Sequence, residues 1–245
     1  MMDNCFNAIA SNSELPADAA TALHESGFVV IRGLLTNERL AQIADAYDAA
    51  VSSADPADVG FGRTTTRVHD FVNRGPDFDE LYVNKLILGA CCSIIGRPFK
   101  LSTMLARTVN PHSQDQSLHV DFQRDGDAWP MVGFIIMLDE FRSDNGATRF
   151  VSGSHKWSTI PNDLMKDPSS DHEGQLLACA PAGSVIVYNG SVWHGHTANQ
   201  TSEPRRSIQG AYIRREAECG INLPARMRPE TLRRIGALAK YVLAV

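Results

Sequence analysis

The stretch Leu118-His119-Val120-Asp121-Phe122 alternates apolar and polar residues. On a strand, side chains two apart point to the same face, so His119 and Asp121 project together into one space. Much later in the chain, Trp193-His194-Gly195-His196 offers two further imidazoles. Two histidines and a carboxylate make the facial triad that holds non-haem Fe(II) and leaves coordination positions open. The bare pattern does not choose between His194 and His196. It does require distant segments to converge at one mouth, which the inward-facing positions of neighbouring strands in a barrel achieve.

The rest of the chain supplies those strands. Residues 16–26 read as a short helix closed by Gly27, and Phe28 to Ile31 as a compact apolar strand. Thr36 opens a helix with Leu40, Ile43, Ala44, Tyr47 and Val51 at helical spacing. Its capping box is incomplete, because Arg39 stands where a Glu would reach back. Residues 53–77 read as one irregular loop, and a helix is expected over about 78–92. From residue 99 the character changes. Strands are expected over 99–109, 118–123, 129–138, 147–151, 184–188, 192–197 and 205–214, separated by turns and by polar loops at 110–117 and 152–181. Glu230 to Leu243 reads as a helix with Leu232, Ile235, Ala239 and Val242 on one face.

Helices followed by many short strands point to a mainly β fold with flanking helices, and to a double-stranded β-helix (jelly-roll, cupin-like) core. Core boundaries fall near 99–215, with a helical N-terminal part at about 14–98 and a C-terminal helix at about 229–243. With 245 residues, 43% of them hydrophobic, and no long linker, a single domain spanning 1–245 is expected.

Composition narrows the function. The formal net charge is −5 and the basic pairs Arg205-Arg206, Arg214-Arg215 and Arg233-Arg234 are short, so no nucleic-acid partner is expected. No run approaches the roughly 20 apolar residues of a membrane span, and the acidic opening residues are no secretory signal. The five cysteines follow no CxxC spacing, which argues against a disulfide framework or zinc knuckle and for a reduced, cytoplasmic protein. A small-molecule substrate is expected; the sequence says nothing of oligomeric state.

Arg205, Ser207 and Gln209 alternate on one expected strand and should all face the interior. A guanidinium aimed into an apolar barrel is costly unless an anion meets it, and a carboxylate matches its fork. A metal triad beside an inward arginine therefore calls for a co-substrate with a chelating end and a distal carboxylate. 2-Oxoglutarate has both.

At this point the chain resembles the phytanoyl-CoA dioxygenase family of Fe(II)/2-oxoglutarate oxygenases. The resemblance runs over about residues 25–215. It is carried by His119-x-Asp121, by Asp144-Asn145-Gly146-Ala147-Thr148 leading to Ser152-Gly153-Ser154-His155, and by His194-Gly195 followed by Asn199 and Arg205. Ser152 stands where the family usually has proline. The resemblance implies Fe(II) on His119, Asp121 and His194, so it selects His194 over His196. It also implies 2-oxoglutarate on Arg205 with help from Ser207, and on Thr148 and Gln116. Dioxygen is the oxidant, with succinate and carbon dioxide as co-products. Halogenating relatives replace the acidic ligand with a small residue; Asp121 is present, which disfavours that chemistry.

The implied reaction is oxidation of an unactivated C–H bond in a small molecule, a secondary metabolite, by hydroxylation, desaturation, cyclisation or epimerisation. Candidate substrate contacts are Phe61, Arg63, Arg67 and Phe71 in the 53–77 loop, with Trp129 as a bordering aromatic; a plain surface loop is the alternative. Two other functions fit the residues: a metal-binding cupin-like module that recognises a small acid without oxidising it, and a non-haem iron oxygenase that does not use 2-oxoglutarate.

Overall fold

The computed structural model describes residues 2–124, 126 and 128–245. Four helices and three short strands come first: α1 (Met2–Ser11), α2 (Ala17–Glu25), β1 (Phe28–Ile31), α3 (Asn37–Ser52), β2 (Val59–Phe61), β3 (Thr65–Val68) and α4 (Lys85–Ile95). The β-rich half then contains β4 (Phe99–Val109), β5 (Met131–Met137), β6 (Thr148–Val151), the single-turn α5 (Pro161–Leu164), β7 (Gln175–Ala178), β8 (Val185–Asn189), β9 (His194–His196) and β10 (Arg205–Arg214). Three short helices follow, α6 (Leu223–Arg226), α7 (Pro229–Arg234) and α8 (Ala237–Leu243).

The strands form two antiparallel sheets, ordered β1-β8-β5-β10-β4-β3-β2 and β7-β6-β9. Strand β5 shows why they pack as they do. All seven of its residues are buried, as a strand covered on both faces must be. Val132, Phe134 and Ile136 point to a core shared with α2, α3, α4 and α8, where Leu23, Ile43, Ile87 and Val242 meet them. Ile135 and Met137 point the other way, into a second core with Phe150 of β6, Ala178 of β7 and Tyr188 of β8. Helices therefore cover one face of the large sheet and the small sheet covers the other. The fold is the expected jelly roll, and the space between the two sheets opens onto the site.

Several boundaries differ from expectation. The 53–77 loop contains the hairpin β2–β3, which extends the large sheet by pairing Thr65 with Val109 and Arg67 with Arg107. Gly60, Gly62 and consecutive threonines hide it, because an edge hairpin needs little apolar alternation. The 78–92 helix starts only at Lys85, where the Asn84 side chain accepts from the Leu86 and Ile87 N–H groups and supplies the cap. Residues 118–123 form no strand. His119 makes a single bridge to His194, after which the N–H groups of Asp121 and Phe122 both donate to the Gly190 carbonyl, each at 3.0 Å. The C-terminal helix is two helices, broken at Ile235 and Gly236.

Phe134 is fully buried, and a Cβ on Gly210 would lie 2.3 Å from its Cζ. The ring thus fills a slot shaped by the neighbouring strand. Phe134→Ala should lower stability by about 3–5 kcal/mol, read from the urea denaturation midpoint. A loss below about 1 kcal/mol would mean that the helix-facing core tolerates the void.

Candidate metal centre

Between His119 and His194, the two N–H groups each donate to the other's carbonyl at 2.9 Å. A residue pair that exchanges both bonds presents its side chains on the same side of the ladder, and the two rings lie 4.4 Å apart. Asp121 then turns its carboxylate between them, 3.7 Å from His119 Nε2 and 3.5 Å from His194 Nε2. One donor atom from each of the three lies within 4.8 Å of the others, close enough for a single ion. His119 Nδ1 sits 3.0 Å from the Ser117 carbonyl and His194 Nδ1 2.9 Å from that of Val192. Both rings therefore hold their proton on Nδ1 and offer Nε2, the arrangement that orients metal-binding histidines.

The electrostatics suit a cation. Burial, reinforced by the neighbouring His194, depresses the His119 pKa to about 4, so the ring is neutral and able to ligate at neutral pH. At Asp121 burial opposes ionisation, yet His194, His119 and the Tyr188 hydroxyl outweigh it and hold the carboxyl below its ordinary range. Tyr188 donates to Asp121 Oδ2 at 2.7 Å. Its ring lies over Gly133, where a Cβ would come 2.2 Å from the ring. His196, the rival ligand, is committed elsewhere: Nδ1 sits 2.8 Å from the Thr197 carbonyl and Nε2 3.0 Å from the Thr64 hydroxyl.

Behind the triad lies a niche of about 60 Å³ lined by Gln116, Thr148, His194, Arg205, Arg107 and Gln209. Arg205 is 1% exposed and packs its guanidinium 3.8 Å over the Phe141 ring. Its Nε and Nη1 have no hydrogen-bond partner, an expensive state for a buried cation unless an anion completes it. Burial, and then Arg107, pull its pKa down to about 9, which still leaves it charged at neutral pH. A dicarboxylate with one end on the metal fits this donor set.

Of the expected co-substrate contacts, Arg205, Thr148 and Gln116 come together in the niche. Ser207 is fully buried and faces the same way, but its hydroxyl donates to the Arg107 carbonyl and it does not line the cavity. Of the expected substrate residues only Arg67 lines the outer chamber, a space of about 360 Å³ in front of the triad. Phe61 is 84% exposed and Arg63 also faces solvent. Phe71 is fully buried against Tyr47 and Phe78 in the helix-facing core, an aromatic anchor rather than a mouth residue. Trp129 donates to the His155 carbonyl and stacks beside that ring, away from the chamber.

Sequence reasoning missed Tyr188 and Arg107. Both follow an alternation that was available: Thr103, Leu105 and Arg107 face the chamber, while Met104 and Ala106 face the helices. It also missed Arg149, 1% exposed, which donates to the carbonyls of Gln116, Ser169 and Ser170 and pairs with Asp115 and Asp171. That side chain ties the 152–181 excursion to the residues leading into the triad.

The family model for "Phytanoyl-CoA dioxygenase (PhyH)" matches residues 23–207. The chain belongs to this family. Among curated relatives, the "Multifunctional dioxygenase prhA" of Penicillium brasilianum is 28% identical over 230 residues, covering 86% of this chain and 75% of the relative. Among solved structures, HygX from Streptomyces hygroscopicus, "with nickel and 2-oxoglutarate bound", superposes with a TM-score of 0.66 at 19% identity, over 82% of this chain and 88% of that one. The "epimerase SnoN in complex with Fe3+, alpha ketoglutarate and nogalamycin RO" gives 0.64 at 19% identity, over 80% and 82%. These structures share the jelly-roll fold. As a member of the family, this chain is a dioxygenase.

Two outcomes follow from this geometry. A Cβ on Gly195 would meet the Gln116 carbonyl at 2.6 Å and that of Ser117 at 3.1 Å; both are backbone atoms and neither can swing aside. Gly195→Ala should therefore weaken Ni(II) binding by about 10–100-fold, the range seen when supports of a metal ligand are removed, as read by calorimetry; unchanged affinity would show that the two segments separate freely. The second outcome concerns acid. Burial also lowers His155 to about 4 and His196 to about 3. Once unfolded, these rings and His119 take up protons near 6.5, whereas the folded chain keeps them neutral. The unfolded state thus binds more protons between about pH 6.5 and 4, and stability falls as pH drops through that window. The Tm of metal-free protein should decline over it, and a flat Tm down to pH ~4.5 would contradict the neutral-ring assignment.

Proposed function

We propose that this dioxygenase uses Fe(II) and 2-oxoglutarate to oxidise an unactivated C–H bond of a small molecule in secondary metabolism. The observation that carries this reading is the pairing of a three-donor cluster with a fully buried arginine whose Nε and Nη1 have no partner. A structural metal site needs no such cation, and a non-catalytic small-acid module would not explain relatives named as dioxygenases.

His119, Asp121 and His194 would hold the metal through Nε2, a carboxylate oxygen and Nε2. Three protein ligands leave the remaining positions open, as facial triads do. Bound iron supplies activation of dioxygen coupled to decarboxylation of 2-oxoglutarate, giving succinate and carbon dioxide. The protein's part is binding and orientation. Arg205 would meet the distal carboxylate through its unsatisfied nitrogens, while the Thr148 hydroxyl and Gln116 amide flank the niche. Tyr188 holds Asp121 Oδ2 and so fixes the rotation of the carboxylate. Phe141 under the guanidinium, with Ile135 in the niche wall, keeps water from Arg205, which strengthens its grip on an anion. The outer chamber, with Leu105, Met131, Phe122 and Ile213 among its lining, would present the target carbon to the open side of the metal.

The test is succinate formation on adding Fe(II), ascorbate and 2-oxoglutarate under air. The wild-type chain should release succinate, and His119→Ala or His194→Ala should abolish it. Arg205→Ala should raise the 2-oxoglutarate concentration needed by at least tenfold, in line with the roughly 1.5–3 kcal/mol of a hydrogen bond to a charged group. Succinate release that persists in both histidine variants would sink the reading; so would 2-oxoglutarate saturation indifferent to Arg205.

A further inference from the structure

The outer chamber has two cations on its wall and no counter-charge bound to either. Arg67 of β3 and Arg107 of β4 are direct cross-strand partners, and both line this chamber. Like charges directly opposite on a ladder destabilise it, so the pair calls for an explanation. Arg107 spends its Nη atoms on two neutral amides, Gln209 Oε1 at 3.2 Å and Gln116 Oε1 at 2.8 Å. Its Nε is buried without a partner. Among the described residues Arg67 makes no side-chain hydrogen bond and neither arginine has a carboxylate ion-pair partner. Asp121 is close enough for its charge to act on Arg107, but it belongs to the candidate triad. Glu218 lines the chamber too but is exposed and pairs with neither.

The two arginines are placed differently with respect to the co-substrate. Arg107 lines both cavities, whereas Arg67 lines the outer chamber and not the niche of Arg205, Thr148 and His194. The remaining lining of the outer chamber includes Leu105, Phe122, Met131, Ala211 and Ile213. Burial and the neighbouring Arg67 lower the Arg107 pKa to about 10, so Arg107 remains cationic at neutral pH.

We infer that the substrate of this site is an organic acid, whose anionic group is gripped by Arg67 with Arg107 behind it while its apolar body lies over Leu105, Phe122, Met131 and Ile213. This rests on the dioxygenase reading above and adds the substrate class. A guanidinium pair takes a carboxylate or a phosphate monoester by the same charge-assisted bonds, and the chamber's position puts that group to one side of the metal with the body reaching across its open face.

The test uses the Ni(II)- and 2-oxoglutarate-loaded protein, which binds without turning over. Loading itself is checked first: a chain that fails to bind Ni(II) or 2-oxoglutarate defeats the dioxygenase reading, not the substrate class. A panel of aliphatic and aromatic monocarboxylic acids, each beside its primary amide and its alkyl phosphate counterpart, is then screened by thermal shift and calorimetry. Acids should stabilise the loaded protein and their amides should not, with the best acid binding at least about tenfold more tightly than its amide. Arg67→Gln should erase that ratio, Arg67→Lys should keep part of it, and Arg67→Glu should reverse it in favour of the amide. The phosphate arm decides which anion fits better. The inference is overturned if no acid binds better than its amide, or if the ratio survives Arg67→Gln. It is also overturned if Arg67→Gln weakens 2-oxoglutarate as much as the acid, because Arg67 would then serve the co-substrate.

Discussion

Two reciprocal backbone bonds between His119 and His194 hold this site together. They are a minimal piece of sheet, a single bridge from the first residue of β9 to a segment that is no strand, yet they set the spacing of two candidate metal ligands that lie far apart in the chain. The bridge persists because both sides are anchored elsewhere. On one side β9 is clamped by β6 through Thr148↔His196 and Phe150↔His194. On the other, Gln116 donates its N–H to the His196 carbonyl and Leu118 its own to Pro168. Gly195 permits the approach by presenting no side chain to the Gln116 backbone. The histidine-glycine pair is thus a packing requirement as well as a candidate ligand motif.

Buried arginines divide the remaining labour, and what completes each one tells what it is for. Arg149 has carboxylate partners and loop carbonyls on its two Nη atoms and only Nε unmet, and it ties loops together. Arg206, next to Arg205 but on the opposite strand face, pairs with Asp139 and Asp48 and fastens the sheet to α3. Arg205 has only an aromatic face beneath it and two unmet nitrogens. Arg107 has neutral amides and one unmet nitrogen. A chain keeps a desolvated, incompletely paired cation at a cost in stability, and such groups gather where ligands bind. Arg205 and Arg107, which unlike Arg149 have no carboxylate partner among the described residues, line the cavities around the candidate triad.

The jelly roll was legible because its strands rest on alternation, and the three candidate ligands because their residue types and spacing stood out in the sequence. Arg205 and Gln209 share a face as strand geometry demands, and β5, apolar throughout, is covered on both faces. His119 and Asp121 converge without a strand, through the bridge to His194 and the turn held by the Gly190 carbonyl. Choosing His194 over His196 was not legible from spacing, since both side chains follow one apolar strand. The structure separates them by what each ring nitrogen bonds: His196 is held by Thr64 and Thr197, whereas His194 Nε2 faces Asp121. Substrate residues were hardest, because the 53–77 segment was read as a loop. β3 pairs with β4 and sets Arg67 on the chamber wall, whereas Phe71 lies beyond the strand, in a single helical turn packed into the core. Register, a tertiary fact, decides the placing of Arg67. Ser207 shows the complementary limit: it faces inward as alternation demands, but its hydroxyl is taken by the Arg107 carbonyl.

The most direct measurement is anomalous diffraction from crystals soaked anaerobically with Mn(II) and 2-oxoglutarate. The expected map has one strong peak about 2.0–2.3 Å from Nε2 of His119, Nε2 of His194 and an Asp121 carboxylate oxygen. The co-substrate should chelate that ion and place its far carboxylate on Arg205. A peak that recruits His196, or a bound 2-oxoglutarate that leaves Arg205 unpaired, would contradict the assignment.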